Sequence, residues 1–260
     1  MTLKFQMPRE HGLVVVWLNV FLVSIFVSKT YSLYGIITII LLSMTFVIYD
    51  PLISIMRMKG QKRNISDYIF HDYAYVLPIL FLIIGWLLFE ILYRKLNFWI
   101  ISIVTAIFII LYILFPRGER KVYTRAVSIV SVTSFFLIIV SSFTDVFDYS
   151  EMLLFITLSL IEVMLGTGPV EIVNAKIEKK SFNSLFLKRM LPVYLISVAI
   201  MATISFYGMS YSWLFIIIYT VFFLAFLFIK TWKMKNIGII ASVFNLIIFI
   251  SISTLFFRSL

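Results

Sequence analysis

The chain has 260 residues, a formal net charge of +10, and 62% apolar against 13% charged residues. Soluble domains carry roughly 45–50% apolar and about 25% charged residues. A globule of this size could not hide the surplus, because more than half of any folded surface is already apolar. The soluble classes are therefore excluded and a bilayer is the expected solvent. The basic residues lie in short segments between long apolar runs, which points to membrane orientation and anionic headgroups and away from nucleic acid. With no cysteine and two histidines, disulfides, zinc–thiolate sites, thiol catalysis and multi-histidine metal centres are excluded as well.

A spanning helix needs about 20 mostly apolar residues. Stretches that qualify are predicted at 12–28, 32–55, 73–93, 98–115, 126–143, 152–173, 190–208, 213–229 and 237–257. They make one transmembrane domain over residues 1–260 and an all-α, polytopic helical bundle of about nine transmembrane helices. Lys4 and Arg9 precede the first stretch as in a signal peptide. No small-residue cleavage site follows Val27, so the stretch reads as a retained span.

Spans three and four are separated only by Arg94–Asn97, and spans seven and eight by Met209–Ser212, which predicts two tight helical hairpins. Of the 22 Lys and Arg residues, 18 fall in alternate loops together with the N-terminus, and 4 fall on the other side. That bias predicts a protein of the cytoplasmic membrane with its N-terminus inside and its C-terminus outside. Two inside loops, 56–72 and 174–189, are longer than a turn needs. Phe182, Leu185 and Phe186, at i, i+3 and i+4, predict a short amphipathic helix at the interface.

Polar residues at membrane depth are costly and mark candidate sites. At the lip of span one stand Arg9, Glu10 and His11, with Asn19 deeper in the same span. At the inner end of span two, Asp50, Ser54 and Arg57 follow at i, i+4 and i+7 on one face, and Arg63 lies beyond. Glu162 lies near the middle of span six, where a carboxyl group must be protonated or paired. Gly166-Thr167-Gly168-Pro169 follows and predicts a broken or kinked helix; a bilayer tolerates a break only against protein or a wet cavity, and a kink serves packing. Glu171 and Asn174 then share a face, with Lys176 close behind. If the inner ends of spans one, two and six meet, these residues line one hollow. Asp50 and Glu171 are then the candidate catalytic and metal-binding carboxylates, for Mg²⁺. Arg9, His11, Arg57, Arg63, Asn174 and Lys176 are the candidate substrate-binding residues, for phosphate.

The opening Pro8-Arg9-Glu10-His11-Gly12 directly before a first span resembles the YwiC-like membrane proteins, although Leu13 follows where that family has Ala-Trp. The layout, with long inside loops after spans two and six, resembles the UbiA-type intramembrane prenyltransferases. That resemblance implies an enzyme acting from the cytoplasmic side on an isoprenoid or lipid diphosphate held by Mg²⁺. Asp50 stands at the first of the family's Asp-rich places, and Glu171, Asn174 and Glu178 at the second, without the full Asn-Asp-x-x-Asp-x-x-x-Asp pattern. The competing expectation is a transporter, or a non-catalytic lipid-binding protein, that uses Glu162 and the broken sixth helix.

Overall fold

The computed structural model describes residues 11–28, 30–60, 74–94, 98–118, 121–144, 148–177, 182–207, 212–228 and 234–257. Among them there are helices and no strand. In chain order these are α1 (His11–Val27), α2 (Leu33–Ser43), α3 (Thr45–Gly60), α4 (Val76–Arg94), α5 (Phe98–Gly118) and α6 (Val122–Thr133). There follow α7 (Phe135–Phe143), α8 (Tyr149–Ile177), α9 (Phe182–Tyr207), α10 (Ser212–Phe228) and α11 (Met234–Phe257).

Among the described residues, 5 helical stretches are long and apolar enough to cross a membrane: Val76–Tyr93, Trp99–Pro116, Val122–Phe143, Tyr149–Gly168 and Phe186–Tyr207. The number is 6 if the bent α2–α3 pair is one span. Val14–Val27, Trp213–Leu227 and Ser242–Ile252 are shorter apolar helices. The chain is thus an all-helical bundle with the composition of a membrane protein.

Burial divides the bundle into an inner pair and a rim. Val122–Phe143, which joins α6 and α7, is 83% buried, and the α8 stretch Tyr149–Gly168 is 78% buried. The corresponding stretches of α4, α5 and α9 are only 17–22% buried. The inner helices pack face to face, α6 against α8, while α1, α5, α9 and α10 wrap them and α11 rides on α1. Every residue of α7 is buried, as befits a helix that is apolar all round except for the Ser141 and Ser142 hydroxyls. The rim shows large apolar side chains outward, among them Phe81, Leu92, Trp99 and Phe206, which in water would be a liability.

Close approaches are built from small residues and hydroxyls, as is usual when helices associate inside lipid. Ser32 caps α2 by accepting from the Gly35 N–H and also donates to the Ser142 carbonyl, which clamps α2 to α7. A Cβ on Gly35 would collide with the Phe143 ring. The Trp86 indole donates to Thr38 Oγ1 at 2.8 Å and ties α4 to α2.

The helix break predicted at Gly166-Thr167-Gly168-Pro169 does not occur, since α8 runs unbroken for 29 residues. The glycines there give room to neighbours. A Cβ on Gly166 would strike the Ile129 side chain of α6, and one on Gly168 would lie 2.7 Å from Phe226 Cζ of α10. Discontinuities occur in other places. The α6–α7 join falls at Ser134, where the Ser131, Thr133 and Ser134 hydroxyls all donate to carbonyls one turn back. Leu33–Tyr49 and Pro51–Met58 meet at a bend of 47° inside α3, where Pro51 removes a backbone donor. The amphipathic segment expected before span seven is helical, but it is continuous with the crossing as the first turns of α9. Phe186 is fully buried there and stacks on Phe226.

Candidate functional site

Glu162 is the fourteenth residue of α8 and is fully buried. Two carboxamides reach it from different helices. Asn19, mid-way along α1 on the face that also carries buried Val16, Val20 and Val23, donates from Nδ2 to Glu162 Oε1 at 2.6 Å. Asn245 sits with Ile248 and Ile252 at i, i+3 and i+7, on the buried face of α11. In one orientation its Oδ1 accepts from Asn19 Nδ2 at 3.2 Å. Turned over, its amide nitrogen donates to Glu162 Oε1 at 2.6 Å and to Oε2 at 3.3 Å, and opposes Asn19 Nδ2, also a donor, at 3.2 Å. Heavy-atom positions are the same for the two orientations, and the proton inventory decides between them. Among the described bonds, only these neutral amides hold Glu162, and no cation pairs with it.

This cluster joins two residues picked out from sequence, Asn19 and Glu162, to a third that was missed. Asn245 is neutral, so a search for ionisable groups passes over it. The available signal was a lone carboxamide at the centre of an apolar run of span length.

The inner end of α8 forms a second polar group. Glu171, also fully buried, accepts from Asn174 Nδ2 at 2.9 Å through Oε1. Through Oε2 it pairs with Arg189 of α9 at 3.2 Å. That Glu171 and Asn174 share a face was expected; their bond to each other and Arg189 as the ion partner were not, the latter because it had been counted only as a loop charge. Oε1 of Glu171 thus serves a bond within α8, and Oε2 the α8–α9 contact.

The remaining sequence candidates are placed as follows. Arg57 is exposed on the part of α3 beyond Pro51. The backbones of His11, Asp50 and Lys176 lie in α1, α3 and α8, and their side chains fall outside the described residues. Arg9 and Arg63 lie outside the described residues altogether. The helix that carries Asp50 and Arg57 packs chiefly on α5, while α8 packs chiefly on α6 and α9. Tyr49 of α3 reaches α6 at Ser128, with 3.3 Å between the hydroxyls. Among the described residues, no group of three or more His, Asp or Glu gathers where it would hold a metal ion.

Beside the Asn19–Glu162–Asn245 cluster lies a narrow apolar crevice between α8, α10 and α11. Ile161, Leu165, Tyr219, Phe222, Phe244 and Ile248 line it. The cluster is therefore walled by hydrocarbon on that side. What the arrangement does chemically is to hold one carboxyl group midway along a buried helix, within hydrogen-bond distance of two carboxamides.

In comparisons with known proteins, no family model, no curated protein and no solved structure matches the chain.

Proposed function

We propose that the chain is an integral protein of the cytoplasmic membrane that crosses it nine times, N-terminus inside and C-terminus outside. On this reading it moves an ion or an ion-coupled solute, with Glu162 as the ion-binding group and Asn19 and Asn245 as its holders. The crossing count adds the three shorter apolar helices to the six longer spans. The orientation rests on the 18-to-4 division of basic residues.

One observation carries the functional part: a fully buried carboxyl group sits midway along an inner helix, held only by neutral amides among the described bonds. A carboxylate kept for structure in such a place is normally matched by a cation, as Glu171 is matched by Arg189. An intramembrane acid without one marks an ion path or a proton relay. Lipid binding alone would not need the acid.

The test is flux through the purified chain in proteoliposomes under an imposed potassium diffusion potential, read with an internal pH dye and, in parallel, with radioactive sodium. Wild-type vesicles are expected to take up protons faster than empty ones, and Glu162→Gln to lower the rate at least tenfold. A wild-type rate equal to that of empty vesicles for both ions, or an unaltered rate in Glu162→Gln, overturns the reading. The Mg²⁺-dependent transferase that the UbiA-type resemblance implies makes the opposite forecast: Asp50→Ala and Glu171→Ala abolish activity while Glu162→Gln leaves it.

A further inference from the structure

We infer that one end of the bundle is a girdle of phenols and indoles that seats the protein in the glycerol-ester region of one lipid leaflet. This rests on the membrane reading, and on neither the transport reading nor the proposed orientation. The exposed aromatic side chains that carry a polar tip are sorted along the helices. Tyr34, Trp99 and Trp213 are the second residues of α2, α5 and α10, and Tyr149 is the first of α8. Tyr93 is the last but one of α4, and Tyr207 the last of α9. All six are 41–76% exposed.

Contacts put these helix ends side by side. Tyr31, between α1 and α2, meets Phe143 at the end of α7 with ring centroids 5.9 Å apart. Phe89 stacks on Tyr34 at 6.2 Å and on Tyr93 at 5.0 Å, which joins the start of α2 to the end of α4. Only residues 95–97 separate α4 from α5. Arg189 near the start of α9 pairs with Glu171 near the end of α8, so Tyr207 lies at the Tyr149 end. Phe206 meets Trp213 edge-on at 6.0 Å across the α9–α10 connection.

Elsewhere the surface has another chemistry. Midway along the helices the exposed side chains are aliphatic, as at Ile84, Ile109, Ile196 and Val243. At the far end, exposed Tyr112 and Tyr123 stand among Arg57, Lys121 and Lys188, and Lys121 lies over the Tyr123 ring at 5.5 Å. A ring with a polar tip is at home neither in hydrocarbon nor in water, and settles where acyl chains meet headgroups. Long cations reach phosphate from the opposite boundary. The spacing fits one bilayer. Arg125 and Phe143 are 18 residues apart, as are Arg189 and Tyr207. That is about 27 Å of helix, against a hydrocarbon core of about 30 Å. The six rings sit on α2, α4, α5, α8, α9 and α10, so they surround the bundle. A protein partner docked on one side would cover a part of them, whereas a leaflet covers all.

The experiment is tryptophan quenching of the full chain in phosphatidylcholine vesicles. The lipid carries a nitroxide either near its ester groups, the shallow label, or near its methyl ends, the deep label. The emission lost in Trp99→Phe, and that lost in Trp213→Phe, isolates each rim indole. Each is expected to be quenched at least twofold more by the shallow label. Trp86, two turns below Tyr93 on α4, should show the reverse preference through Trp86→Phe. A rim indole that prefers the deep label, responds equally to both, or answers only to aqueous iodide overturns the inference. Trp99 and Trp213 are exposed, so their comparison stands even if Trp86→Phe fails to fold. No quenching of any indole by either label refutes the membrane reading itself. A girdle that behaves as expected in a chain that carries no flux refutes the transport reading alone.

Discussion

Glu162 and Glu171 are nine residues apart on one helix and equally buried, yet their partners differ in kind: amides for the first, a guanidinium and an amide for the second. The difference predicts different mutational behaviour. Arg189→Ala leaves Glu171 as a buried charge with Asn174 as its remaining described partner. Because Arg189 is 35% exposed, the cost falls below that of losing a partner in a fully buried pair, at about 1–3 kcal/mol. Adding Glu171→Gln to Arg189→Ala should recover most of that loss, since it removes the stranded charge. Denaturant midpoints in detergent check this, and a double variant no more stable than Arg189→Ala would show that the guanidinium acts through other contacts. Glu162 was legible from sequence as a site because an acid in an apolar run is rare. The partners of both acids were not, because which faces of α1, α9 and α11 meet α8 depends on packing and not on spacing along the chain.

At the scale of helices, glycine and proline were the misleading letters. Gly166-Thr167-Gly168-Pro169 has the composition of a break, but α8 is gripped by α6, α9 and α10, and the glycines serve close contact. Local propensity is a weak prior when neighbours supply the packing. Serine and threonine mark the actual joins at Met44 and Ser134: Ser43 and Thr45 donate to Ile39 and Leu42, and Ser131, Thr133 and Ser134 do the same across the second. Ordinary helices tolerate such residues, so the sequence alone did not single them out. The packing account makes a prediction. Gly168→Ala puts a methyl group within 2.7 Å of a ring whose neighbours Phe186 and Phe222 leave it little freedom to swing. It should destabilise by about 1–3 kcal/mol. Phe226→Leu in the same chain should relieve much of the clash. If Gly168 were instead a hinge, Gly168→Ala would change flux and leave thermal stability alone.

For the whole molecule, composition carried most of what could be read in advance: helices throughout the described residues and apolar rims. Which helices neighbour one another was not readable, because loop charge bears on which end of a helix faces inward and says nothing about lateral order: α3 packs chiefly on α5, and α8 on α6 and α9. The proposed orientation is testable on the natural sequence, which lacks cysteine. Lys121→Cys should react with an impermeant maleimide only after the cells are opened, and Asp148→Cys in intact cells. The reverse pattern would invert the topology.

The cluster that unites Asn19 with Asn245 spans 226 residues of sequence. In a chain threaded into the bilayer from its N-terminus, the first carboxamide arrives early and its farthest partner last. At roughly 5–20 residues per second, synthesis of the intervening stretch takes about 10–45 s. Throughout that interval Asn19, and later Glu162, must lean on water, lipid headgroups or an insertion factor. The Asn19–Asn245 contact therefore cannot form until α11 has emerged, and closure of the cluster waits on that helix.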